Sequence, residues 1–378
     1  MLDGGAILAY HYINLFGKDR LTMSKFRDLL AKKGVELSAK KYFITAMGAM
    51  AQGLFASLLI GTIFDTLGAQ FNIEFLKSLA AFAKNGYVCG AAIGIAVANA
   101  LSAAPLVLYS CATVGAAGYM LGTQISVAGG DPIAYTAGPA GAFLAVLVAC
   151  ELGKLEAGST RVDIILTPTV TLLSGFAVAK LLCPGVAYVM YYLGDFINTA
   201  TTLRPVIMGM IVSAVVGIIL TLPISSAAIC AMIGITGIAG GAAAAGCCAQ
   251  MVGFAVMSFR ENRWGGLLAQ GLGTSMLQMG NIIRRPIIWI PPILTSVICG
   301  PLSTVVFKLE CTGVSAGMGT CGLVGPLGII TATADKGAMF WIGLVLICVV
   351  LPAALTLLFS EIMRRLGWIR EGDLKLDL

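Results

Sequence analysis

The sequence predicts an all-α polytopic membrane protein: about ten transmembrane helices, plus re-entrant or broken hairpins. Three observations predict it. Mean hydropathy is +0.94, with 58% hydrophobic and only 11% charged residues, where a soluble domain carries about 25% charged. Apolar runs of spanning length recur along the 378 residues, with basic clusters beside them. One apolar stretch, 311–335 (CTGVSAGMGTCGLVGPLGIITATAD), is punctuated as no plain spanning helix is. Gly319, Gly322, Gly325 and Gly328 recur every third residue and Pro326 removes a backbone donor. Each internal Gly costs a helix roughly 1 kcal/mol and Pro about 3. Irregular backbone at membrane depth survives only where protein buries it or a wet cavity meets it. The stretch therefore reads as a re-entrant element beside a polar site, against the plainer reading of a helix packed closely through small residues.

Residues 1–42 form a basic N-terminal segment. Arg20, Lys25, Arg27, Lys32, Lys33, Lys40 and Lys41, with Phe26, Leu29 and Leu30 at helical spacing, suggest an amphipathic helix on the cytoplasmic surface. A solvated basic tail is the alternative. The first long apolar run starts only after residue 42, so no cleavable signal peptide is expected. Residues 43–360 form the membrane domain. Its spans are expected at 43–64, 87–103, 104–127, 137–153, 162–183, 205–222, 226–258, 264–283, 286–308 and 337–360. Residues 71–84 read as a short interfacial helix. The tail 361–378 carries Arg364, Arg365, Arg370 and Lys375 and reads as cytoplasmic, like the N-terminus. An internal repeat is suggested at an offset of about 122 residues. Ile44, Thr45 and Gly53 face Leu166, Thr167 and Gly175, and Val107–Gly118 faces Ile229–Gly240.

Polar groups in apolar surroundings are expensive and are candidates for function. Asp131, in the turn Gly129–Pro132, lines a cavity or caps a helix. Asn198 and Thr201 belong to the polar run GDFINTATTLRP, which binds a polyol or is a solvated loop. Ser225 and Ser226 follow Pro223, and Thr236 sits in Gly234–Gly237; interrupted backbone there offers groups to a ligand's oxygens. Gln278 and Asn281 share a helix face, Thr320 lies in the central stretch, and Glu310 precedes it. Glu310 either accepts hydrogen bonds from sugar hydroxyls or is a charge at a helix end. Glu151, Lys154 and Glu156 read as a solvated loop. No catalytic residue, cofactor or metal site is expected. A single histidine, His11, supplies no imidazole set, and neither a phosphate-binding loop nor a dinucleotide fingerprint occurs. The eleven cysteines mostly sit in apolar runs without CxxC, as small hydrophobes. The net charge of +6 clusters beside spans, and no nucleic-acid partner is expected.

AGGDPI (128–133), ELGKL with VDIILTPTVTLLSG (151–175), ATTLRPVIMGMIVS with LTLPISSAAI (200–229) and AGMGTCGLVGPLG (316–328) resemble the membrane IIC component of the bacterial phosphotransferase system. The similarity is to its sugar-transporter IIC-like, or perfringolysin-regulator-like, branch. The resemblance implies a homodimeric sugar permease of the bacterial inner membrane that moves its solute by an elevator displacement. Separate IIB and IIA proteins then handle phosphate. Glucose-type members carry a G-I-T-E-P segment with a sugar-contacting Glu. Here Gly234–Ile235–Thr236 is followed by Gly237, and the histidine such proteins hold near the sugar is absent. The leading expectation is a permease for a sugar or related small polar solute. A membrane sensor that keeps the permease fold, and an ion-coupled transporter, are the alternatives.

Overall fold

The computed structural model describes residues 30–376, apart from 31, 37, 126–132, 202 and 335–336. The first half begins with α1 (Lys41–Ala69), which contains two wider π-helical stretches, Lys41–Ala46 and Phe55–Leu59. Helix α2 (Glu74–Ala83) meets α3 (Gly86–Ala100) at 57°. The exposed Phe75 and Phe82 on α2 fit the interfacial helix expected there. Asn85 caps α3, its side chain accepting from the Tyr87 amide at 2.9 Å. Helix α4 (Pro105–Met120) starts on a proline. It lies so close to α3 that a Cβ on Gly90 would sit 2.7 Å from the Ala116 Cα, the small-residue contact that brings membrane helices together.

A two-stranded antiparallel hairpin follows, β1 (Gly122–Ile125) and β2 (Ile133–Thr136), where the sequence suggests the end of a span. Helix α5 (Gly138–Glu156) returns. Helix α6 (Asp163–Thr201) then runs 39 residues, about 58 Å at 1.5 Å per residue. Pro168 and Pro184 lie inside it, as membrane helices tolerate. It absorbs both the expected span 162–183 and the polar run after it.

The second half comprises α7 (Pro205–Thr221), α8 (Ser226–Met232), α9 (Gly237–Met257) and α10 (Phe259–Leu268). After a π-turn at Ala269–Gly273 and a 3-10 turn at Ser275–Gln278 comes α11 (Met279–Arg284). Then follow α12 (Pro286–Val306), α13 (Gly313–Ala316), α14 (Val324–Ala332) and α15 (Ala338–Arg365). Among the described residues six helices are long and apolar enough to cross a bilayer, or seven if α2 with α3 is one bent span. Helices α4 and α7 and the segment Cys321–Ala332 are shorter apolar pieces. The hydropathy runs behind the expected ten spans include runs broken in the chain, such as 226–258 and 264–283.

Two large apolar cores result, with a smaller third cluster at the docked tail (Phe254, Met257, Ile282, Ile288, Met363, Ile369 and Leu374). One large core joins α1, α3, α4 and α5 with the middle of α6 and with Met276, Leu277 and Met279. The other surrounds α9, whose Ala/Gly-rich sequence leaves 89% of its apolar window buried. All eleven cysteines are buried free thiols, ten of them inside these two cores.

Glu151, Lys154 and Glu156 are not in a loop. They lie on α5, and Lys154 (3% exposed) pairs with Glu151 (8%) at 2.9 Å. Lys154 also donates to the Leu101 carbonyl at 3.0 Å. The i, i+3 spacing lets the charges satisfy each other inside the protein. The suggested repeat also fails locally. Val107–Gly118 lies within continuous α4, whereas Ile229–Gly240 straddles the break between α8 and α9.

Candidate functional site

The central stretch is interrupted backbone, as its glycines suggest. Gly313, Gly319, Gly322 and Leu323 all take left-handed φ, so α13 and α14 are the two arms of a hairpin. At Gly319 (φ +54) an added Cβ would also lie 2.7 Å from the Cys247 backbone, which excludes side chains on two counts. The hairpin's base is closed by the Glu310 amide donating to Thr333 Oγ1 at 3.0 Å. Its first arm is stitched to the break before α9: the Cys311 amide donates to the Gly237 carbonyl (3.1 Å) and the Gly313 amide to that of Ile235 (2.9 Å).

A second hairpin, residues 259–284, enters from the opposite end of the bundle. Its ends are anchored beside the C-terminal tail: Arg364 pairs with Glu261 at 3.3 Å and Arg285 with Asp373 at 3.5 Å. The two hairpins meet tip to tip, where the Thr320 hydroxyl donates to the Gly271 carbonyl. Both tips press on α1: Gly322 faces Ile63, and Gly273 faces Phe55. Thus one scaffold helix lies along two opposed hairpins.

Along that seam, at the tail end, is a cavity of about 200 Å³. Thr45, Gly48, Ala49 and Gln52 of α1 form one wall, and Leu277, Gly280, Asn281 and Arg284 the other. Ala100, Lys375 and Leu376 complete it. Arg284 and Lys375 are exposed at its edge, and no acidic residue lines it.

A chain of carboxamides builds the wall of the second hairpin. Gln270 Nε2 donates to Ser258 Oγ at 2.8 Å, Gln278 Nε2 to Gln270 Oε1 at 2.9 Å, and Asn281 Nδ2 to Gln278 Oε1 at 2.8 Å. The same side chains grip the tail: Gln278 Nε2 reaches the Leu374 carbonyl (3.0 Å), and Asn281 Nδ2 that of Lys375 (2.8 Å). Asn262 holds Leu374 and Leu376 at 2.8 Å each. Nearby, Gln250 accepts from Trp289 Nε1 at 3.0 Å and Thr221 bonds Ser275 at 2.8 Å.

The residues singled out in the sequence are thus dispersed. Asn281 lines the cavity, and Gln278, fully buried behind it, orders the wall. Thr320 locks the tips. Ser226 donates to the Gly317 carbonyl at 2.7 Å, tying α8 to the first hairpin; Ser225 is half-buried beside it. Thr236 is exposed at the start of α9. Asn198 is exposed on the last turns of α6, where its carbonyl accepts from Thr201. Glu310 is half-buried at the base of the first hairpin, at the other end of the bundle from the cavity. Asp131 lies outside the described residues. The cavity is lined by the second hairpin, not by 311–335. Thr45, Gln52 and Arg284 were missed. Thr45, Gly48, Ala49 and Gln52 repeat at i, i+3, i+4, i+7, a small-polar helix face that was legible.

A family model described as phosphotransferase system, EIIC, matches residues 44–376. The chain belongs to this EIIC family. The match begins at the cavity wall of α1 and ends with Leu376 of the docked tail, so the hairpins, seam and tail all fall within the EIIC region. No curated protein and no solved structure matches the chain. As an EIIC protein with this helix inventory it is a multi-pass membrane component of a phosphotransferase-type permease.

Proposed function

We propose that this EIIC protein is a permease for a sugar or related small polar solute. The solute lodges between α1 and the second hairpin, and the two hairpins carry it by moving as a body against α1. The observation that carries this reading is the pair of opposed hairpins meeting tip to tip along one scaffold helix, with a polar-walled cavity on the seam. Broken elements entering from both sides suit alternating access. The Asn281 carboxamide oxygen, with Thr45 and Gln52, offers hydrogen-bonding groups of the kind sugar hydroxyls need; many weak bonds permit release. The tail end gathers Lys40, Lys41, Arg260, Arg284, Arg285, Arg364 and Arg365. By the positive-inside rule that end is cytoplasmic, so the cavity faces inward, towards separate IIB and IIA proteins, in a bacterial inner-membrane homodimer.

Two measurements test this. A sugar or polyol at about 100 times its Kd is expected to stabilise the purified protein by about 2.7 kcal/mol, and Asn281→Ala to weaken that ligand. Cross-linking Ile63→Cys to Gly322→Cys is expected to stop uptake into proteoliposomes until the bond is reduced. Uptake that continues with the cross-link intact would defeat the moving-hairpin mechanism. The docked tail also favours a sensor reading, with tail release as output. A ligand that stabilises the protein yet never accumulates inside vesicles would favour it.

A further inference from the structure

The end of the bundle away from the tail carries few described cations: Lys77, Lys84, Arg204 and Lys308. Lys77 pairs with Glu74 and Lys84 with Asp65. Arg204 and Lys308 are exposed and have no acidic partner among the described residues. They flank the same groove, about 630 Å³, between the start of α7 and the end of α12. Its lining is otherwise almost wholly apolar: Val206, Ile207, Ile238 and Val305. The Thr304 hydroxyl in its wall is already spent on the Pro205 carbonyl at 3.0 Å.

We propose that this groove binds one anionic phospholipid, its phosphate between Arg204 and Lys308 and an acyl chain along Val206, Ile207, Ile238 and Val305. Charge complementarity selects the occupant. Cations at this end are not the usual basic crowding of a cytoplasmic face. Two that converge without a carboxylate seek an anion, and basic pockets between membrane helices take lipid headgroups. A soluble anion gains nothing from the apolar wall, whereas an acyl chain fills it. Ile238 follows Gly237, whose carbonyl is bonded to Cys311. A lipid here therefore braces the base of the first hairpin, whatever solute the protein carries.

The test uses the full chain, delipidated in neutral detergent, titrated with phosphatidylglycerol or with phosphatidylcholine of the same acyl chains. Native mass spectrometry and thermal shift read binding. The expected result is a saturable single adduct with a roughly thirtyfold preference for phosphatidylglycerol, about fivefold per cation. Arg204→Gln with Lys308→Gln is expected to erase the preference. Val206→Trp, which fills the groove and leaves both charges, is expected to lose the adduct. Circular dichroism and elution profile confirm that the variants fold. Equal binding of the two lipids, or a preference that survives the double substitution, overturns the proposal. So does a double variant that turns a dimer into monomers with its lipid preference intact, which would assign the groove to a second copy.

Discussion

Lys154 shows what one residue does in this fold. Its ammonium is buried with the Glu151 carboxylate at 2.9 Å, so removing one partner strands the other. Lys154→Met is expected to cost about 3–5 kcal/mol of stability, and Glu151→Gln with Lys154→Met to recover most of it. Thermal unfolding of the purified variants measures both. A single variant as stable as wild type would mean that water reaches Glu151. Gln278 makes a second case: its carboxamide joins Gln270, Asn281 and the tail. Gln278→Leu leaves buried polar partners unsatisfied and is expected to destabilise by about 1–3 kcal/mol. Asn281→Ala acts also on the cavity, so it should weaken a solute more than Gln278→Leu does.

The two hairpins are the elements on which function turns. In the first, Gly319→Val forces a branched side chain into left-handed backbone against Cys247. The expected outcome is loss of the well-packed tip, read as a lowered unfolding temperature, while Ala at the exposed Gly158, which has open space around it, pays only the strain of its φ. In the second, carboxamides hold the tail backbone while Ile369 and Leu374 are buried in a small apolar cluster with Ile282 and Met363. Deleting residues 371–378 removes one buried leucine and is expected to leave a less stable but folded protein with a wider cavity mouth. A Thr45→Cys reporter measures this, since every native cysteine is buried and gives little background. Labelling by a polar maleimide should be faster in the truncated protein; equal rates would mean that the tail does not restrict entry.

For the whole molecule, helix α6 ties the two apolar cores together, contacting α4 and α5 with its first half and α7 and α8 with its second. The halves otherwise meet chiefly where α1 lies on the hairpins: Gly273 against Phe55 and Gly322 against Ile63, with Met276, Leu277 and Met279 in one core with Met47, Met50 and Leu54. The polar groups that the sequence marks as candidates are distributed over this architecture: Asn281 on the seam, Thr320 at the tips, Ser226 at the α8 junction, Asn198 and Thr236 on exposed surfaces.

Composition alone determined that the chain lives in a bilayer, because so few charges and so long a series of apolar runs admit no aqueous fold. Glycine and proline spacing determined that 311–335 breaks, since backbone cost is local and belongs to the residues themselves. The match of residues to the EIIC family was legible in short motifs for the same reason. Tertiary structure decided the rest. That Glu151 and Lys154 are buried, that Gln278 serves the wall while Asn281 reaches the cavity, and that the tail returns to close it depend on partners 50 to 100 residues distant. Hydrogen bonds and ion pairs at that range are set by how the helices pack, which no local pattern in the chain encodes.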